Sequence, residues 1–118
     1  MERYYGDWRV RVRWETMGED LCVTICGGDR PHIGSVAIAE PRESLRGGGA
    51  RSSTVSTFNV TGHKDDAVAN AVAHALATRL ERRTVVVCGI HYDRAEGTLL
   101  ARVNELTRQI TEDICDGL

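Results

Sequence analysis

The sequence has no excess of charge of one sign. Its 15 Lys and Arg against 17 Asp and Glu leave a formal net charge of −2, so no global basic field draws in nucleic acid or an acidic membrane. It has no apolar run near the roughly 20 residues that a membrane-spanning helix requires. The opening residues, Met1-Glu2-Arg3-Tyr4-Tyr5-Gly6, lack the apolar core of a secretory signal, and a cytoplasmic location is expected. No C-x-x-C pair is present, which removes the usual signature of a cysteine-bound metal. Neither H-E-x-x-H nor H-x-H spacing occurs, and no G-x-G-x-x-G or P-loop pattern either. Ser35 has no nucleophile-elbow context, so a Ser–His–Asp mechanism lacks its framework.

What remains is an ordinary globular chain. The length of 118 residues suits one domain with one core, and 42% hydrophobic with 27% charged residues is a normal balance for it. Cys22 and Cys26 fall four apart in an extended segment, so their backbones lie about 13 Å apart, too far for a disulfide. With Cys88 in an apolar strand and Cys115 in a terminal helix, all four read as reduced thiols packed as small hydrophobes.

Strict alternation from Asp7 to Glu15 places Trp8, Val10, Val12 and Trp14 on one face and Arg9, Arg11 and Arg13 on the other. This predicts a strand with a solvated arginine face; a phosphate-binding ladder is the sharper alternative. After a turn at 17–20, Leu21 to Cys26 gives a second strand, with Cys22, Thr24 and Cys26 forming a small, mildly polar face. Ser35 to Ala39 predicts a third strand and Thr54 to Val60 a fourth. Between them, Pro41 to Ser53 holds Gly47-Gly48-Gly49, three arginines and no apolar period, which predicts a surface loop. Val68, Val72, Leu76 and Leu80, flanked by Ala69, Ala73 and Ala77, predict a helix from His63 to about Arg83. Thr84 to Ile90 is a continuous apolar run, read as a central strand buried on both faces. Leu99, Val103, Leu106, Ile110 and Ile114 predict a second helix over about 94–116. The expected fold is α+β: a single, mostly antiparallel five-stranded sheet with two helices packed on one face, in the order ββββαβα.

Three of the four histidines lie in glycine-marked turns: Gly27-Gly28-Asp29-Arg30-Pro31-His32-Ile33-Gly34, Gly62-His63-Lys64-Asp65-Asp66 and Gly89-Ile90-His91-Tyr92-Asp93. The first could turn backbone N–H groups toward a ligand, with Pro31 stiffening it and Arg30 offering a fork for phosphate or carboxylate. The second opens a helix, where N–H groups and the dipole favour an anion and Lys64 adds charge; Asp65 reads equally as a capping residue. In the third, His91 and Asp93 are two apart and project the same way beyond a central strand. The candidate site is therefore Gly27, Gly28, Arg30, His32, Gly34, His63, Lys64, Asp65, His91 and Asp93, built for an anionic ligand. A metal-dependent hydrolase or lyase on His32, His63 and His91 is the alternative, since zinc accepts three imidazoles with a fourth position open. A bland third reading is an assembly subunit with an incidental pocket.

Together, Gly27–Val36 (GGDRPHIGSV), His63-Lys64-Asp65 and Gly89-Ile90-His91 resemble the prenylated-flavin chaperone family, the LpdD-like partners of gallate-type decarboxylases. The resemblance covers roughly residues 20 to 110 and leaves the stretch from Pro41 to Ser53 unmatched. It implies a non-enzymatic carrier of prenylated FMN, or of FMN itself. Such a carrier stands between a flavin prenyltransferase and a UbiD-type decarboxylase. A phosphate would be met by the glycine turn and the His63-Lys64 helix start, and the ring by the Cys22, Thr24 and Cys26 face. A homodimer across that face is also expected.

Overall fold

The computed structural model describes residues 1–60, 65–91 and 103–118. It is an α+β structure with one six-stranded sheet, not the expected five. The strands are β1 (Glu2–Tyr5), β2 (Val10–Met17), β3 (Asp20–Gly28), β4 (Ser35–Glu43), β5 (Arg51–Asn59) and β6 (Thr84–His91). Helix α1 (Asp65–Leu80) precedes β6, and α2 (Val103–Asp116) ends the chain. The sheet order is β1-β2-β3-β6-β4-β5. Four of the five pairings are antiparallel and β3–β6 is parallel, so the sheet is mixed.

The alternations read for the first two strands fill one side of this sheet, joined by Ala37 and Ala39 of β4 and not by Val36 and Ile38. Val10, Val12, Trp14, Leu21, Val23, Ile25, Ala37, Ala39, Val86 and Cys88 are all buried. Against them lie Val68, Ala69, Val72, Ala73, Leu76 and Ala77 of α1, and Leu106, Ile110 and Ile114 of α2. Both helices therefore cover the same face, as expected. The alanine stripe on α1 keeps side chains short where the helix crosses β4, β5 and β6.

Several boundaries differ from the sequence reading. Strand β1 was not foreseen, because only Tyr5 of its four residues is buried and no period marks it. The first predicted strand is interrupted: residues 6–9 form a turn in which Trp8 N–H donates to the Tyr5 carbonyl at 3.1 Å and Arg9 N–H to the Gly6 carbonyl at 3.2 Å. Trp8 is still buried, but Arg9 has a left-handed φ of 51° and leaves the arginine row. The stretch Pro41 to Ser53 is mostly strand. Residues 41–43 extend β4 and 51–53 begin β5, leaving only 44–50 as the connection. Pro41 is tolerated there because pairing of β4 with β6 has already ended at Ala39↔Thr84, so no ladder bond on that side is lost. Helix α1 stops at Leu80, where Glu81 turns left-handed with φ 54°, three residues short of the predicted end. Strand β6 is central but buried on one face only: Thr84, Val86 and Cys88 are sealed, while Val85 and Val87 are half-buried. The portions 63–64 and 94–102 of the predicted helices lie outside the described residues.

Candidate site at the end of the parallel strands

Strands β3 and β6 run parallel, and β5 runs parallel to β6 because β4 lies antiparallel to both. All three finish at the same end of the sheet, and β5 leads from there into α1. The crossover β5–α1–β6 leaves room for β4 between its strands. Side chains beyond the carboxyl ends of parallel strands face a natural crevice for a ligand. At this end the chain places the Gly27–Gly34 stretch and His91.

Gly27 and Gly28 are not in the turn; they are the last two residues of β3, in register with Val10 on one side and with Ile90 and His91 on the other. Gly28 has φ 75°, which a side chain rarely adopts. The turn at 29–34 then folds back over β6. A Cβ on Gly89 would overlap the His32 carbonyl, and one on Gly28 would overlap the His91 carbonyl. Glycine is needed at both positions for backbone to lie on backbone.

The N–H groups of this stretch are engaged in the fold. Gly28 N–H donates to the Arg9 carbonyl at 3.0 Å, Asp29 N–H to the His91 carbonyl at 2.6 Å, and Gly34 N–H to the Cys88 carbonyl at 3.0 Å. The expected cradle of glycine N–H groups around a phosphate is therefore not formed by these three. Their work is to seat the turn on β6, which brings the backbone of His32 against Gly89, two residues from His91. None of these three N–H groups is offered to an anion at this end.

His32 is half-buried, and its Nδ1 lies 2.9 Å from the Arg30 carbonyl. A carbonyl only accepts, so Nδ1 carries a proton and donates it. Gly34 is buried, and its carbonyl accepts Val60 N–H at 2.9 Å. Ser35, fully buried, donates through Oγ to Asn59 Oδ1 at 2.9 Å. These bonds tie the start of β4 to the end of β5. Of the remaining candidates, His63, Lys64 and Asp93 lie outside the described residues, as does the side chain of Asp65, the first residue of α1.

Two contributors were missed from the sequence. Arg9 reaches this end through its left-handed turn, and its Nη1 donates to Asp29 Oδ1 at 2.8 Å. Asp29 in turn is bonded to His91 through its N–H. The strict alternation around Arg9 concealed this; the Gly6-Asp7 pair was the sole hint of a break. The fourth histidine, His74, is on α1 and away from the cluster; its Nδ1 lies 2.6 Å from the buried Ser53 Oγ, tying helix to β5.

No described element covers the opposite face of the sheet. Cys22, Cys26, Val36, Val85 and Val87 are half-buried there, while Ile38 and Phe58 are exposed. The register places Cys26 beside Gly89, and Val36 beside both Val87 and Phe58. This apolar strip therefore runs up to the end that carries His32 and His91. A hollow of about 510 Å³ on the sheet is lined by Met1, Glu2, Arg13, Trp14, Glu15, Cys22 and Thr24. It lies toward the opposite end of β3, away from the histidine-bearing segments. At the strand ends, tight backbone contacts hold the His32 turn against Gly89 and the Asp29 N–H against the His91 carbonyl.

A model of the prenylated flavin chaperone LpdD-like domain matches residues 4–118. The chain belongs to the prenylated flavin chaperone LpdD-like family. Among curated proteins, none matches it. The cofactor of this chaperone family is a prenylated flavin, consistent with prenylated FMN. The residues at the strand ends fit such a group. Arg30, His32 and His91 offer charge and hydrogen bonds for a phosphate, and the apolar strip beside them suits a ring system with an added apolar ring. The metal reading gains no support: among the described residues, no three His, Cys, Asp or Glu side chains are grouped to hold an ion, and His63 lies outside them. No helix among the described residues is long and apolar enough to cross a membrane.

Proposed function

We propose that this protein holds prenylated FMN at the carboxyl ends of β3 and β6 and delivers it to a UbiD-type decarboxylase, having received it from a flavin prenyltransferase. The observation that carries the reading is the seating of the His32 turn on Gly89, which brings two histidine-bearing segments to one strand end in a chain of this family. When bound, the cofactor supplies the electron sink that decarboxylation needs; the carrier supplies only a place to hold it.

The site comprises Gly27, Gly28, Arg30, His32, Gly34 and His91, with His63, Lys64, Asp65 and Asp93 as further members from the adjoining segments. The glycines allow the close backbone packing and the cationic side chains meet the phosphate. The strip of Cys26, Val36 and Val87 receives the ring. A second copy of the chain, laid across the open face, would shield that ring from water, and the cytoplasm is the compartment in which its partners would meet it.

Co-production with a flavin prenyltransferase tests the reading. Purified protein should carry the absorbance of bound prenylated flavin and should raise the activity of a UbiD-type decarboxylase to which it is added. Protein that emerges colourless and gives no activation sinks the proposal. His32→Ala and Lys64→Ala should each lower cofactor retention while leaving the unfolding midpoint near wild type. Full retention in both would move the pocket elsewhere.

A further inference from the structure

We infer that Arg9 joins the other cationic side chains on the flavin phosphate and contributes the largest share of the preference for a phosphorylated flavin over a dephosphorylated one. The inference rests on the carrier reading above and adds a phosphate-selective group to it.

Four observations converge on Arg9. The N–H groups of Gly28, Asp29 and Gly34 are committed to backbone carbonyls, so none of these three is offered to a phosphate. The left-handed φ of 51° removes Arg9 from the row of Arg11 and Arg13, which pair with Glu2. That conformation disfavours a residue with a Cβ, so the chain holds an arginine where glycine or asparagine would fit with less strain. The backbone around it is rigid: its carbonyl accepts Gly28 N–H, and a Cβ on Gly27 would overlap that same carbonyl.

The guanidinium itself is anchored yet accessible. It bonds Asp29 at 2.8 Å, and the side chains are 53% and 31% exposed for Arg9 and Asp29. Asp29 N–H is bonded to the His91 carbonyl, so the ion pair is fixed to the end of β6. An exposed pair of this kind contributes little to stability. Its value lies in holding a planar fork of N–H donors in one orientation, which matches the geometry of phosphate oxygens. Asp29 holds the guanidinium in place in the free carrier, and a phosphate takes the N–H donors of the fork that Asp29 leaves open, against the repulsion of that carboxylate.

The test compares prenylated FMN with the same compound after phosphatase treatment, both titrated anaerobically into the wild type, Arg9→Ala, Arg9→Lys and Arg9→Gly. The wild type should bind the phosphorylated form tighter, on the order of tenfold to a hundredfold, as charge-assisted hydrogen bonds imply. Arg9→Ala should cut that preference severalfold, the rest being held by the other cationic side chains of the site, and leave affinity for the dephosphorylated form unchanged. Arg9→Lys should keep more of it than Arg9→Ala. Arg9→Gly removes the guanidinium while favouring the observed φ, so it reads the phosphate contact even if Arg9→Ala folds poorly. An unchanged preference in Arg9→Gly, or an equal loss for both ligands, overturns the assignment, as does a wild type that binds both forms equally. A wild type that binds neither form overturns the carrier reading and the Arg9 assignment together.

Discussion

The two faces of this sheet are made by the same strands and have opposite fates. On the helix side, Val10, Val12, Val23, Ala37, Val86 and Cys88 are fully buried. On the other side, their neighbours Arg11, Arg13, Cys22, Thr24, Val36 and Val87 keep contact with solvent. Because side chains alternate along a strand, each residue is separated by one position from a residue of the other fate. Stability is thereby concentrated on one face, and the other is left to carry small apolar and polar groups toward the strand ends. A carrier benefits from this division: its ligand face can lack a full covering without costing the fold its core.

The comparison breaks first if the two faces weigh equally. Ile25→Ala or Ile110→Ala should cost about 2–5 kcal/mol, the range for deleting a buried aliphatic side chain. Ile38→Ala on the open face should stay within about 1 kcal/mol. Urea unfolding of the three variants measures both, and similar losses on the two faces would mean that the open face is covered in solution, as a homodimer would do.

Next in size is the junction between the faces. Gly89→Ala places a methyl group against the His32 carbonyl, where neither side is a flexible side-chain end. The expected loss is about 1–3 kcal/mol, as for overpacking in general. Calorimetry giving a wild-type midpoint for this variant would show that the 29–34 turn is not seated on β6 in solution.

The third prediction concerns the rim of the core. Tyr5 is buried and donates to Asp113 Oδ2 at 2.7 Å, while Arg3 lies 3.3 Å from the same carboxylate. Burial, then the hydrogen bond and charge of Asp113, raise the phenol well above its usual value. The folded state thus favours the protonated form. Its stabilising contribution is complete below the ordinary phenol pKa of about 10 and is lost as pH rises toward the elevated folded value. Tyr5→Phe should cost about 1–2 kcal/mol at neutral pH and flatten the decline in stability above about pH 10. A decline of unchanged steepness in Tyr5→Phe would assign it to another group.

The smallest expected effect is the most telling about function. Val87→Thr is nearly isosteric and lies on the half-buried side of β6, so stability should change by no more than about 1 kcal/mol. Retention of prenylated FMN after co-production should nonetheless fall, because the hydroxyl meets the surface offered to the ring. Normal retention would place the ring elsewhere, for instance in the hollow near Cys22 and Thr24.

Much of this was legible in the chain. Alternation at Val10, Val12 and Trp14, and at Leu21, Val23 and Ile25, marks a half-buried strand whatever it pairs with. The stripe of Val68, Val72 and Leu76 marks a helix in the same way. Two of the glycine-marked histidine segments, those of His32 and His91, meet at one end of the sheet, and the pattern of all three carried the family resemblance. The alternation also misled: it continued through Arg9 and Trp8, although a turn stands between the buried Trp8 and β2. Residues 41–53 suggested a loop through three glycines, three arginines and no apolar period, yet both ends are strand, and Pro41 is harmless in β4 because pairing with β6 has ended before it.

The sequence by itself determined which residues face a core, since that depends on local period and polarity. It also supplied the glycines without which two backbones could not touch at Gly28 and Gly89. Tertiary structure alone decided that β3 and β6 pair in parallel, because that contact joins segments some sixty residues apart through backbone bonds that carry no local side-chain signal. The same pairing brings His91 beside Gly28 and takes the Asp29 N–H to the His91 carbonyl, which fixes the partner of Arg9 at the strand ends. The residues of the candidate site were written in the chain; their division into those that shape the turn and those that can hold an anion was decided by where the backbone hydrogen bonds went.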